Sequence, residues 1–322
     1  MATRFEILLH GENPTALRAA GEAALAEIER LENQLSLYRN TSEIAHVNAR
    51  AAREPVRVSG GLLRLLWQAR ALGQAMDGAF DVTIAPLVRC WGFMGGAGHL
   101  PEAEALAQAR AQVGHDLLDL DEQASTVRFA RDGVMIDLGA IGKGYAIASA
   151  ADVLREAGVN SAILHGGTST VYALGSPPGG EFWKVAIARP EADSSQESRL
   201  LRAAPEAKDA GAGVRDGAVL EVMSLRDEAL SVSAVWGRAF VSGGKSYGHV
   251  IDPRSGQPVQ GTLLAAVALP SATETDAFST ALLTFGSAGL ARLAALRPEA
   301  RALVLSEEAG GRGLRAERLH IH

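Results

Sequence analysis

The chain has 322 residues, 47% of them apolar and 21% charged, a composition able to bury a sizeable core. Its net charge of −6, with no basic tract among aromatics, argues against nucleic acid as a partner. The single cysteine, Cys90, excludes an intramolecular disulfide and a cysteine-held metal cluster, and reads as an apolar side chain rather than a nucleophile. No apolar run reaches the roughly 18 residues of a transmembrane helix. The N-terminus lacks signal-peptide anatomy. The expectation is therefore a cytoplasmic protein, or a periplasmic or membrane-anchored one if a targeting segment precedes it.

Arg4 to His10 reads as a strand. Asn13 and Pro14 then form a favoured helix start, with Ala24, Ile28, Leu31 and Leu35 along one face. Ser42 restarts a helix, and Ser59 opens another whose stripe is Leu62, Leu65, Leu66, Ala69 and Leu72. Pro101 to Gln112 reads as an exposed helix. Strands are expected at Val127–Phe129 and Val134–Asp137, and a helix from the glycine turn to about Gly158. Further strands are expected at 162–164, 171–174, 183–187, 219–224, 249–251 and 264–269, with helices at about 275–285 and 288–296. Several consecutive strands lack intervening helices, which favours an antiparallel α+β arrangement. Glu191 to Asp216 is poor in large apolar groups and reads as a flexible insertion in a single domain spanning 1–322.

The most informative stretch is Asp137-Leu138-Gly139-Ala140-Ile141-Gly142-Lys143-Gly144-Tyr145. An apolar run ends in an acid, glycines follow, and a helix begins. Free backbone N–H groups and the helix dipole there point the same way and favour an anion. Lys143 adds a charge able to neutralise phosphate. A phosphorylated ligand is the reading.

Four further clusters carry chemistry: Ser36-Leu37-Tyr38 through Ser42-Glu43 to Asn48; Asp77-Gly78-Ala79-Phe80-Asp81-Val82-Thr83, leading to Trp91-Gly92-Phe93; His249-Val250-Ile251-Asp252-Pro253-Arg254-Ser255-Gly256; and Thr275-Asp276-Ala277-Phe278-Ser279-Thr280. Asp276 and Thr280 lie four apart on one helix face and offer oxygen ligands suited to Mg²⁺. Asp276 could equally cap that helix, with Thr280 an ordinary helix residue. His249 is suited to proton transfer near neutrality or to a structural hydrogen bond.

In order and spacing these motifs resemble the ApbE family of FAD:protein FMN transferases, from Met1 to beyond Thr280. The resemblance implies a fold of duplicated T-fold-like antiparallel sheets with packed helices. It implies Mg²⁺ held by Ala140, Asp276 and Thr280, with FAD as a substrate contacted by Met1, Tyr38, Ala79, Phe80, Asp81, Asp137, Lys143, His249 and Ile251. His249 and Asp276 are the implied catalytic groups. The implied reaction moves FMN from FAD to a threonine hydroxyl of an acceptor protein and releases AMP. Plainer roles stand beside these: core packing for Phe80, a surface or core position for Tyr38, a solvated helix charge for Lys143. An FAD pyrophosphatase would carry the same residues; a non-catalytic flavin-binding protein of the same fold is the other reading, and Asp276, Thr280 and His249 argue against it because storage needs no metal and no base. Two departures from the family pattern in motif residues, Thr168 in place of an aspartate and Trp236 in place of a glycine, and a third in the length of the insertion at Glu191 to Asp216, bear on acceptor recognition.

Overall fold

The computed structural model describes residues 3–190, 201–203, 219–308 and 313–321. In chain order the elements are β1 (Phe5–Leu9), α1 (Pro14–Leu35), α2 (Glu43–Arg50), β2 (Val56–Arg57), α3 (Gly60–Ala75), α4 (Ala85–Cys90), α5 (Ala103–Arg110), β3 (Leu118–Asp121), β4 (Thr126–Phe129) and α6 (Gly142–Glu156). There follow β5 (Ser161–Gly166), β6 (Thr170–Gly175), β7 (Trp183–Ala188), β8 (Leu201–Ala203), β9 (Val219–Leu225), β10 (Glu228–Ala234), β11 (Ala239–Ser242), β12 (Lys245–Gly248), β13 (Thr262–Leu269), α7 (Ala272–Phe285), α8 (Gly289–Leu296), β14 (Arg301–Glu307) and β15 (Leu314–Leu319).

The frame is a seven-stranded sheet in the order β1-β5-β6-β10-β13-β14-β15, antiparallel at every pairing. This is the expected mixed class of helices on antiparallel sheet. Both faces of the sheet are covered. On one, Ala24 and Ile28 of α1, Ile147 and Leu154 of α6, and Phe278 and Leu282 of α7 pack on Leu164, Ala265, Val267 and Val304. On the other, Val171, Leu230, Val232, Ala266 and Leu303 meet Val185, Ile187, Met223 and Leu225 of the small sheet β8-β7-β9. Burial on two sides explains why β13 is apolar almost without interruption, where a half-exposed strand would alternate.

Helix starts follow the sequence closely. Asn13 accepts from the Ala16 N–H at 3.1 Å, Ser42 from Ala45 at 2.9 Å and Ser59 from Leu62 at 3.3 Å. Each side chain satisfies a donor that a helix leaves open. The last long helix departs from expectation. Ser271 caps it by accepting from Glu274, so α7 begins at Ala272 and Asp276 lies inside it rather than at its cap. The strand expected at 134–137 is reduced to one parallel bridge, Met135 to Ile84. Asn48 takes the place of a neighbouring strand there, giving its amide to the Ile136 carbonyl at 2.9 Å and accepting the Ile136 N–H at 2.7 Å. The strand expected at 249–251 is likewise absent, and His249 follows the β11–β12 hairpin, with only Ile251 bridging to Pro258. Of the insertion expected at 191–216, only 201–203 are described, as β8; the rest lies outside the described residues.

One helical stretch, Ala272–Leu296, is long and apolar enough by composition to cross a membrane. Its first part, α7, is packed between α6 and the strands β10 and β13, with Phe278, Leu282 and Leu283 buried.

Candidate active site

The glycine turn meets α7 side-on. In a regular helical turn the Gly144 N–H would bond to the carbonyl of Ala140, four residues back. It bonds instead to Asp276 Oδ2 at 3.0 Å, which releases the Ala140 carbonyl from that bond. The approach requires glycine, since a Cβ at position 144 would lie 2.1 Å from the Ala272 carbonyl oxygen and 2.9 Å from Asp276 Cβ. Asp276 is 3% exposed, and its other oxygen, Oδ1, faces Lys143 Nζ at 3.3 Å. The same ammonium donates to the Gly139 carbonyl at 3.1 Å. Lys143 is thus a bound counter-ion and not a solvated helix charge. A positive charge already sits between a carbonyl of the turn and the buried carboxylate.

Thr280 lies one turn beyond Asp276 and is half-buried. Its hydroxyl is 3.0 Å from Ser233 Oγ on β10. Among the described residues no three His, Cys, Asp or Glu side chains are arranged to hold a metal. A cation at this corner would take one carboxylate, a hydroxyl and a backbone carbonyl, which is a hard all-oxygen donor set.

Asp137 opens the turn. Its N–H donates to the Val82 carbonyl at 2.7 Å, and its carboxylate accepts from Gly139 N–H at 2.8 Å. Burial pushes its carboxyl above the usual range, against the pull of the Gly139 hydrogen bond and the Lys143 charge. The 77–83 loop is built inward. Ala79 is 1% and Phe80 3% exposed, so that loop offers a ligand its backbone rather than these side chains. Asp81 is committed as well: Oδ1 accepts from the N–H and hydroxyl of Thr83 at 2.8 and 2.7 Å, and Oδ2 lies 3.7 Å from His115 Nδ1. That contact raises the His115 pKa.

His249 is half-buried and fixed by its backbone, whose N–H donates to the Arg238 carbonyl at 3.0 Å. Its Nδ1 faces the same carbonyl at 3.3 Å. A carbonyl only accepts, so Nδ1 carries the proton and Nε2 keeps the lone pair. Burial lowers the His249 pKa, and the Arg238 and Lys143 charges lower it further. Beyond it, Asp252 pairs through both oxygens with Arg254 at 2.9 and 3.0 Å, and that guanidinium lies 4.3 Å from the Phe285 ring centroid. Ile251 is buried with Leu87, Trp91 and Phe93.

The structure therefore brings Asp137, Lys143 and Asp276 together, with Ala140 in the same glycine turn, Thr280 one helical turn beyond Asp276, and His249 within reach of the Lys143 charge. Tyr38 stands apart on the turn between α1 and α2, 63% exposed, and among the described residues no hydrogen bond holds its ring. Met1 lies outside the described residues.

The ApbE family profile matches residues 1–304. The chain belongs to the ApbE family. Two relatives from Klebsiella pneumoniae, both named FAD:protein FMN transferase, are 28% identical over 276 residues and 30% identical over 262 residues. The first alignment covers 84% of this chain and 71% of the relative; the second covers 80% and 73%. Among solved structures, the ApbE protein of Thermotoga maritima is similar with a TM-score of 0.80 and 26% identity, over 98% of this chain and 92% of that one. The apo flavinyl transferase ApbE of Pseudomonas stutzeri is similar with a TM-score of 0.79 and 27% identity, over 98% and 91%.

Within this ApbE chain the two motif departures fall differently. Gly167 precedes Thr168 with φ +65 and no room for a side chain, its Cβ direction being filled by Thr3 Oγ1. Trp236 packs on the cluster between the two sheets, on the face opposite Ser233 and Thr280, and its buried Nε1 has no hydrogen-bond partner among the described residues. It therefore leaves the corner at Asp276 open. Ser231 and Ser233 are absent from the motif clusters; their alternation along one strand, opposite hydroxyls at helical spacing in 275–280, is the sequence signal that pairs β10 with α7.

Proposed function

We propose that this protein is a Mg²⁺-dependent FAD:protein FMN transferase that places FMN on a threonine hydroxyl of an acceptor protein. The observation that carries this reading is the corner at Asp276. Asp276 Oδ1 and the Gly139 carbonyl already share an ammonium, the diverted Gly144 N–H relieves the neighbouring Ala140 carbonyl of a helical bond, and Thr280 stands one helical turn beyond Asp276. The Ala140 carbonyl, Asp276 and Thr280 would hold Mg²⁺. When bound, the ion supplies Lewis-acid stabilisation of charge on the transferring phosphoryl group.

The chain's own residues account for the rest. Lys143, near the start of α6, would meet the FAD pyrophosphate at that helix N-terminus, leaving Asp276 to a metal. The threonine oxygen attacks the phosphorus nearer the flavin. A new P–O bond forms, the bond to the bridging pyrophosphate oxygen breaks, and AMP departs with that oxygen. His249 Nε2 takes the hydroxyl proton, a task favoured by a lowered pKa that keeps the ring neutral. Tyr38, exposed and free, offers a ring face for the flavin. Positioning and electrostatics provide most of the rate.

The test is AMP release from FAD with and without an acceptor protein. Metal-dependent AMP that appears only with acceptor supports transfer. AMP formed equally without acceptor marks an FAD pyrophosphatase, and FAD retained intact marks a flavin-binding protein.

A further inference from the structure

Between β10 and α7 runs a seam of buried hydroxyls that the proposed reaction does not use. Ser231 Oγ donates to Thr275 Oγ1 at 3.0 Å, and Thr275 Oγ1 donates to the Ala272 carbonyl at 2.8 Å. The same pattern repeats one helical turn later. Ser233 Oγ is 2.9 Å from Ser279 Oγ, and Ser279 Oγ donates to the Asp276 carbonyl at 3.0 Å. Each chain has a further hydroxyl at its β10 end: Thr170 Oγ1 lies 3.3 Å from Ser231 Oγ in the first, and Thr280 Oγ1 lies 3.0 Å from Ser233 Oγ in the second.

Proton counting fixes the direction of this second chain. Each hydroxyl has one proton. The Asp276 carbonyl can only accept, so the proton of Ser279 is spent on it. Ser279 therefore accepts from Ser233, which spends Ser233's proton. Ser233 in turn accepts from Thr280. The competing Thr280 contact to the Asp276 carbonyl is 3.4 Å, long for an O–H donor. Any other arrangement leaves two oxygens facing each other with no proton between them, either beside Ser279, which is 0% exposed, or between Ser233 and Thr280. The proton of Thr280 thus points into the protein toward Ser233, and its lone pairs are left free for another partner.

We infer that Ser233 is a positioning residue for a divalent cation: by accepting the Thr280 proton it turns the Thr280 oxygen into a ligand. Neutral hydroxyls are weak ligands unless their lone pairs are aimed, and outer partners of this kind govern affinity. This inference rests on the metal reading proposed above. The Ser231 chain is its internal control, with the same chemistry on the same strand and Thr170 of β6, in place of Thr280, at its end.

The experiment is Mn²⁺ binding followed by electron paramagnetic resonance on the full chain, with thermal unfolding alongside. Ser233→Ala is expected to weaken Mn²⁺ binding by about tenfold. Ser233→Thr, which keeps the hydroxyl, should restore it. Ser231→Ala should lower the melting temperature comparably and leave Mn²⁺ affinity at the wild-type value. Equal affinities for wild type and Ser233→Ala would overturn the inference while leaving the metal reading intact. Equal weakening by Ser231→Ala and Ser233→Ala would also overturn it, by making the seam merely structural. A wild-type protein that binds no Mn²⁺ would overturn the metal reading itself and the inference with it.

Discussion

The N–H of Gly144 and the carboxylate of Asp276 meet at 3.0 Å although 132 residues separate them in the chain. One contact joins the start of α6 to the interior of α7. It fixes one carboxylate oxygen, leaves the other to a cation, and removes a helical bond from the Ala140 carbonyl. The geometry depends on an absent side chain, since a Cβ on residue 144 would enter the Ala272 carbonyl.

Gly144→Ala should therefore force α6 and α7 apart. The neighbour it meets is backbone and cannot rotate away. A loss of about 3 kcal/mol is expected, at the upper end of overpacking costs, and is read from the denaturant midpoint. A midpoint equal to wild type would mean that the two helices are not locked at this contact.

Lys143→Met should separate two roles. Removing the ammonium that pairs with Asp276 leaves the carboxylate to the metal alone, so Mg²⁺ affinity without FAD should rise by about tenfold from the lost repulsion. FAD affinity should fall, because the phosphates lose their cation. Calorimetric titration with each ligand checks the opposite signs. A fall in both affinities would contradict the competition.

His249 is held neutral by burial and by nearby positive charge. Only the neutral ring can accept a proton, so activity should persist as pH falls through the ordinary histidine value of about 6.5 and decline below it. In His249→Ala the rate should drop by on the order of 10²–10⁴ and the acid limb should vanish. A limb centred above the ordinary value, or one unchanged in the variant, would assign the proton transfer elsewhere.

Asn48→Ala removes both hydrogen bonds that hold Ile136, one residue ahead of Asp137. Leaving a backbone donor and acceptor unpaired in a part-buried segment should cost about 1–3 kcal/mol. FAD binding should weaken along with stability, because the turn that begins at Asp137 loses its anchor. Retained FAD affinity in a destabilised variant would show the turn to be positioned by α6 alone.

Local signals account for what the sequence revealed. Asn13, Ser42 and Ser59 are caps whose partners lie three residues away, and the stripes of α1 and α3 follow helical spacing, so each could be read within a short window. The motif clusters of the site were legible for the same reason. The segment at 134–137 misled because its apolar run reads as a strand while its backbone bonds go to Asn48, a side chain 88 residues distant. The strands β10, β14 and β15 went unread. The first carries serines facing a helix, and the other two complete a sheet whose burial pattern is set by elements far along the chain. The readings of Asp276 as a cap and Lys143 as a solvated charge failed on one fact, that α7 begins three residues earlier than expected and brings Asp276 against the glycine turn.

The most direct test of transfer to protein is mass spectrometry of a threonine-containing acceptor domain incubated with this protein, FAD and Mg²⁺, beside Asp276→Ala and a metal-free sample. The account predicts an FMN-sized mass gain located on a threonine, absent from both controls. An acceptor left unmodified while FAD is cleaved to FMN and AMP, or a mass gain that survives the loss of Asp276 and of metal, would contradict it.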